Sequence, residues 1–277
     1  NLGYANFLGR LAVARVYEGV IKTGASVFIK KQDGPLRSGK ITKLFLFNGL
    51  LRLEALEAAA GDVVLIAGLP DITIGETITT DANAEPLPAI AIDEPTIALS
   101  FMVNNSPFAG REGKFVTSRQ IAEYLTRELE VNVGLKVDFS STEYFRVCGR
   151  GELHIAILLE NMRRAGYEVQ VSQPKAIMRE ERGVTVEPFE ELLVDAPSEF
   201  QGTVIERLGT RGFVLKHIAA HEKNVRMTFE GPTRGILGYR NQFVIDTKGE
   251  GILASHFMGF RPYTGEIKKR SVGSMIS

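Results

Sequence analysis

The sequence predicts a multidomain β and α+β chain: a small β-barrel followed by two ferredoxin-like βαββαβ domains. Three observations predict it. The first 88 residues hold short strand-like runs broken by Gly, Pro, Asn and Asp, the pattern of a small closed barrel. From residue 97 the apolar period switches between 2 and 3.6 in the order β-α-β-β-α-β. That order then recurs, because Thr117 and Ser198 each open an S/T-x-x-Q capping signature, and the Arg-Gly pairs at 150–151 and 234–235 repeat at a similar offset.

In the first block the strand-like runs are residues 11–16, 26–30, 41–47, 63–67 and 76–79, with a turn signal at Asn48-Gly49. Glu85-Pro86-Leu87-Pro88, followed by Glu94-Pro95, reads as a stiff linker. The second block opens with an alternating strand at 97–103. A helix follows, capped by Thr117 and Gln120 and carrying an apolar stripe at Ile121, Leu125 and Leu129. Strands containing Leu135, Val137 and Phe139 and then 144–148 come next, and a helix over 152–165 stops at Gly166. Tyr167, Val169 and Val171 close the block. In the third block a strand at 190–195 leads to a helix capped by Ser198 and Gln201, with Phe200, Val204 and Leu208 on one face. Strands at 214–218 and 225–229, a helix over 233–243 and a strand at 252–257 complete it. The expected domains are residues 1–88, 92–177 and 178–262.

Composition narrows the function. The 33 basic residues balance the 33 acidic ones over 277 residues, so no global field favours nucleic acid or a membrane, although local patches still can. The one cysteine, Cys148, rules out an internal disulfide framework and suits a reducing, cytoplasmic setting. No apolar run is long enough to cross a bilayer as a helix.

Motifs for chemistry are weak. Gly34-Pro35-Leu36-Arg37-Ser38-Gly39-Lys40-Ile41-Thr42 nearly matches the phosphate loop G-x-x-x-x-G-K-[ST]. Ile41 stands where the hydroxyl belongs, Pro35 removes an N–H, and β-rich sequence follows where a helix is required, so a hairpin turn is expected. His217 and His221 share a four-residue spacing, but in strand-like sequence, so no metal site is expected. His154 reads as a packed or capping residue and Cys148 as an inert thiol. No catalytic constellation is expected in this chain.

Basic residues gather in loops and at helix ends. Residues 104–115 form a long loop with Arg111, Lys114 and exposed-looking aromatics, and Arg119 follows in the first helical turn. Arg163 and Arg164 end a helix, where the macrodipole also favours cations. Arg207 and Arg211 flank Gly209, and Gly231-Pro232-Thr233-Arg234-Gly235 opens a segment reaching Arg240. Glycine beside arginine at a helix start lets backbone approach a phosphate. These nine residues are the candidate RNA contacts, in the shape-and-phosphate mode suited to folded RNA. The Lys268-Lys269-Arg270 triplet reads as a solvated charge run.

Three stretches carry a family resemblance: 104–125 (NNSPFAGREGKFVTSRQIAEYL), 149–169 (GRGELHIAILLENMRRAGYEV) and 231–251 (GPTRGILGYRNQFVIDTKGEG). They resemble the TypA/BipA family of ribosome-associated translational GTPases, and residues 9–27 resemble the barrel, the second domain of such factors. The resemblance implies a fragment lacking the GTPase domain, with residues 263–277 starting a family-specific C-terminal domain. It implies that GTP and Mg²⁺ belong to the missing domain and that this chain holds no cofactor, no small-molecule substrate and no catalytic residue. The partner it implies is the ribosome, through rRNA and ribosomal proteins, in ribosome assembly and stress-adapted translation. Arg234, Arg240 and the 207–211 loop would face large-subunit RNA, and residues 104–119 the subunit interface or neighbouring domains. The alternative is a small-molecule-binding regulatory protein with tandem ferredoxin-like domains.

Overall fold

A computed structural model describes residues 1–5, 7–32, 34–88 and 92–267, grouped into two compact units. The first comprises Asn1–Ile92 and Phe115–Val137; the second comprises Asp93–Lys114 and the chain from Asp138 onward. Residues 115–137, read from sequence as part of the second block, therefore cluster with the first.

The first unit opens with β1 (Leu2–Ala5), β2 (Gly9–Arg15), β3 (Val20–Lys22), β4 (Ser26–Lys30) and β5 (Arg37–Lys40). It continues with β6 (Lys43–Asn48), β7 (Leu51–Ala55), β8 (Glu57–Ala59), β9 (Val63–Ala67) and β10 (Thr77–Thr79). The strands pair as β1-β2-β9-β6-β7, β10-β4-β5 and β3-β8, every pair antiparallel. Alternate side chains point inward, so Val27, Ile29, Leu44, Val64 and Ile66 from different sheets meet in one core with Ile41.

The near-match to a phosphate loop is a hairpin arm. Residues 37–40 form β5, with Arg37 opposite Ile29, and the strand expected over 41–47 is β6, which begins at Lys43. Gly39 is glycine for packing: a Cβ there would sit 2.5 Å from Leu69 Cδ2. A strand, β6, follows where a nucleotide site needs a helix N-terminus, so these residues do not fit a bound nucleotide.

Next in chain order are β11 (Ile97–Val103), α1 (Ser118–Val131), β12 (Lys136–Asp138), β13 (Phe145–Gly149), α2 (Glu152–Arg164), β14 (Val169–Val171) and β15 (Lys175–Ala176). The expected capping box on α1 forms: Thr117 Oγ1 accepts from the Gln120 N–H, and Gln120 Oε1 accepts from the Thr117 N–H at 3.1 Å. Ile121 and Leu125 of α1 are buried, and Glu130 near its end pairs with Arg10 of β2. In the second unit β11 pairs with β13 on one side and with β14 and β15 on the other. Ile97, Leu99 and Phe101 of β11, Val147 of β13, and Ile155 and Leu158 of α2 are buried.

The third block holds β16 (Arg179–Glu181), β17 (Val184–Pro197), α3 (Gln201–Thr210), β18 (Val214–His221), β19 (Asn224–Pro232), α4 (Thr233–Ile236), α5 (Tyr239–Asp246) and β20 (Ile252–Pro262). The strand order β18-β19-β17-β20 is antiparallel and matches the expected motif. Leu192, Val194 and Ala196 of β17 alternate inward against Val225, Met227 and Phe229 of β19, and Val204 and Leu208 of α3 cover them.

Two expectations fail here for tertiary reasons. Ser198 does not cap α3; its N–H and hydroxyl both donate to the Lys223 carbonyl at 2.9 Å, and residues 198–200 form a 3₁₀ turn instead. The ladder of β17 with β19 runs to Pro197 opposite Asn224, which brings that carbonyl beside Ser198 before any helix starts. The helix expected over 233–243 is two helices. The chain breaks at Leu237 and at Gly238, whose φ of 71° lies in the left-handed region that glycine tolerates.

Candidate nucleic-acid interface

The structure sorts the nine candidate basic residues by what their cationic groups face. Arg234 is internal. It leaves α4 to meet Glu187 of β17, whose side chain is fully buried, while Arg234 itself is 14% exposed. Its Nη2 donates to Glu187 Oε1 at 3.1 Å and to Thr264 Oγ1 at 3.2 Å, and its guanidinium lies 4.7 Å from the Tyr263 ring centroid. Thr264 adds its N–H and hydroxyl to the same carboxylate oxygen, both at 3.0 Å. Burial pushes the Glu187 carboxyl up, but Arg234 and Thr264 outweigh it and hold it below the usual range. Arg234 therefore does not present a free guanidinium to RNA as the sequence suggested.

Arg211 is also turned inward, donating to the carbonyls of Gly235 at 3.0 Å and Leu237 at 3.4 Å and lying over Tyr239. The glycines beside these arginines serve the same packing. A Cβ on Gly235 would sit 2.3 Å from the Arg211 carbonyl oxygen, and one on Gly231 2.5 Å from the Phe213 ring. The close backbone approach read as suited to a phosphate is an approach of the chain to itself.

Arg207 and Arg240 are exposed but partnered. Arg207 pairs with Asp246 at 3.5 Å, and Arg240 donates to the Leu253 carbonyl at 3.0 Å and to Ser255 Oγ at 3.4 Å. Arg163 and Arg164 share Glu160 at 2.8 Å each, and these hydrogen bonds lower its pKa to about 2. Both arginines remain more than 70% exposed, so the trio carries a net positive charge outward. Arg119 pairs with Glu123 at 3.0 Å yet is 89% exposed. Exposed pairs of this kind exchange partners at little cost.

Arg111 and Lys114 sit in the loop after β11. Glu168, not singled out from the sequence, organises that loop. Its carboxylate accepts from the Asn104 side chain and from the N–H groups of Gly110 and Gly113, both at 3.1 Å to Oε2, and the Asn104 bond is the main cause of its lowered pKa. Glu160, three and four residues before its arginines, was readable from helical spacing. Glu168 and Glu187 had no such signal.

Comparison with known proteins agrees with this architecture. The family model described as Elongation factor Tu domain 2 matches residues 9–79, and that described as Elongation factor G C-terminus matches 184–271. Over its whole length the chain is 47% identical to a Synechocystis protein, 44% to one from Bacillus subtilis and 42% to one from Escherichia coli K12. Each of the three is named large ribosomal subunit assembly factor BipA. Along its whole length the chain is similar to these BipA proteins. It spans about half the length of these relatives, covering 47%, 46% and 46% of them. A crystal structure of a Thermus thermophilus protein matches 95% of this chain and 55% of its own, with a TM-score of 0.59 at 17% identity, which supports the fold alone.

The two matched models describe a barrel domain and an elongation-factor C-terminus. His217 and His221 lie in β18, where four residues span about 13 Å, too far to share an ion. His154 stands in the first turn of α2, its Nδ1 accepting from the Arg150 N–H at 3.2 Å, while the N-cap Gly151 has no side-chain cap. Among the described residues no helix is long and apolar enough to cross a membrane. The Lys268-Lys269-Arg270 triplet lies outside the described residues.

Arg240 stands at a cleft of about 470 Å³ in the second unit, lined also by Arg150, Glu152, His154, Glu190 and His256. Glu152 accepts from the Gly238 N–H at 2.8 Å across it. Glu190 is only 6% exposed; burial raises its pKa, and the charge of Glu152 adds to that. A raised folded pKa contributes stability below the unfolded carboxyl value and loses it as pH rises through the folded value. Glu190→Gln is therefore expected to melt a few degrees above wild type at pH 8, the gap closing towards pH 4. Thermal melts across that range check it, and a variant less stable at pH 8 would refute the sign.

Proposed function

We propose that this chain is the ribosome-facing, non-catalytic portion of a BipA-type translational GTPase, a cytoplasmic protein acting in large-subunit assembly and stress-adapted translation. The observation that carries this is 42–47% identity along the whole chain to factors named for large-subunit assembly. In this reading the layout is a translation-factor barrel, two ferredoxin-like domains and the start of a C-terminal domain. GTP and Mg²⁺ belong to residues outside this chain, since its one near-match to a phosphate loop is a strand packed on Leu69. The domains here convert nucleotide state into fit on the ribosome through contacts that differ between states. The small-molecule regulatory alternative finds no support among the relatives.

Within this proposal the cations available to rRNA are those held outward: Arg111, Lys114, Arg119, Arg163, Arg164, Arg207 and Arg240. Each phosphate contact releases counterions, so its loss flattens the salt dependence of binding. In the parent protein, replacing Arg119, Arg163 and Arg164 together by Ala is expected to reduce the slope of log affinity against log salt by about 2. Cosedimentation with large subunits over a salt series measures it. An unchanged slope would remove these three from the interface.

A further inference from the structure

Residues 104–114 form a fixed loop that holds an aromatic ring out into solvent. Asn104 Oδ1 accepts from the Ser106 N–H at 3.0 Å, the Ala109 N–H donates to Ser106 O at 3.0 Å, and the Lys114 N–H donates to Gly166 O at 2.8 Å. Glu168 gathers Asn104, Gly110 and Gly113 from the inside. Gly113 leaves no room for variation, since a Cβ there would meet Glu168 Cβ at 2.6 Å. At the loop's apex Phe108 is 61% exposed, and the Arg111 guanidinium lies 4.8 Å from its ring centroid. Lys114 is exposed on the same loop, with no ion-pair partner among the described residues. A side chain that costs hydration free energy is thus kept outside by a loop whose backbone is tied down. Free to move, such a ring would collapse onto apolar surface.

We infer that Phe108 and Arg111 form a stacking platform for an unpaired RNA base, with Lys114 taking an adjacent phosphate. This rests on the rRNA-binding proposal and specifies its mode at this loop. An aromatic face and a planar guanidinium both stack on nucleobases, and unpaired bases in folded RNA are the ones open to such contact. Charge alone does not explain the loop. Glu112 offsets one of its two cations, and the Glu168 charge faces three inward N–H donors. Stacking, which salt screens little, is therefore the principal contribution here. Glu168 acts as a positioning residue: it sets where the ring stands without touching RNA.

Binding of the intact parent protein to deproteinised large-subunit rRNA, and separately to whole large subunits, tests this. Phe108→Ala is expected to weaken rRNA binding by about 5- to 150-fold with the salt slope unchanged. Phe108→Tyr restores binding, Lys114→Ala lowers the slope by about 1, and Glu168→Gln loses part of the Phe108 effect. Phe108 is solvent-exposed, so the Ala variant keeps its melting temperature. Wild-type rRNA affinity in Phe108→Ala overturns the inference. If the Arg119/Arg163/Arg164 variant still shows its flattened slope, only the stacking mode fails; if neither changes anything, RNA binding fails too. A loss seen with whole subunits but not with deproteinised rRNA assigns the ring to a ribosomal protein and overturns the RNA assignment.

Discussion

Arg234→Met is expected to lower the free energy of unfolding by about 3–5 kcal/mol, the cost of stranding a buried charge. Glu187 is fully buried, and Arg234 supplies the opposite charge and two of its donors. With methionine, Thr264 alone remains against the carboxylate, and burial then dominates. The pH dependence follows from the same balance. A carboxyl whose folded pKa is held low contributes stability above its unfolded value and loses it as pH falls through the folded one. The deficit of Arg234→Met should thus be largest near neutral pH and shrink once Glu187 is protonated. Glu187→Leu combined with Arg234→Met should recover much of the loss, because it removes both charges. Urea unfolding of the wild type and the two variants measures this, and a single-variant loss below about 1 kcal/mol would show the pair to be solvated. The result matters for function: weaker ribosome binding by an Arg234 variant would report unfolding rather than a lost phosphate contact.

Gly235→Ala is the second large effect, a net loss of about 1–3 kcal/mol. Helix propensity alone favours alanine over glycine by about 1 kcal/mol, so the sign depends on space. At Gly235 the obstacle is the Arg211 carbonyl oxygen at 2.3 Å, a backbone atom that cannot swing aside as a side-chain end would. Relief requires moving α4 away from the turn after α3, which also disturbs the Arg211 bonds to Gly235 and Leu237. Gly209→Ala in α3 is the control, since nothing lies within 4 Å of its added Cβ; it should be neutral or stabilising. Equal behaviour of the two variants in denaturant melts would refute the close approach.

Legibility followed the range of the interaction. The Thr117–Gln120 box was readable because both partners lie within one turn and nothing distant competes for them. Ser198 carried the same signature and failed, because the β17–β19 ladder delivers the Lys223 carbonyl to it first. The inward alternation of Leu192, Val194 and Ala196 was legible as a pattern of period 2. The break in the helix expected over 233–243 was not, although Gly238 marked the place where a left-handed residue was possible.

The site divides the same way. Glycine beside arginine at 234–235 signalled a close approach correctly, but not what approaches; the partner is the chain's own Arg211 carbonyl.

By itself the sequence determined the alternation of strands and helices after residue 97, the resemblance along the whole chain and which residues are basic. Those properties depend on local composition, local period and direct similarity. Only the tertiary structure decided which cations are available. Arg234 meets Glu187 and Asn104 meets Glu168 across 47 and 64 residues of chain, and no local pattern announces such pairs. A guanidinium is a candidate for RNA only if folding leaves it outside. The packing of β17, α4 and the loop after β11 settles that, placing Arg234 within the second unit and Arg111 at its surface.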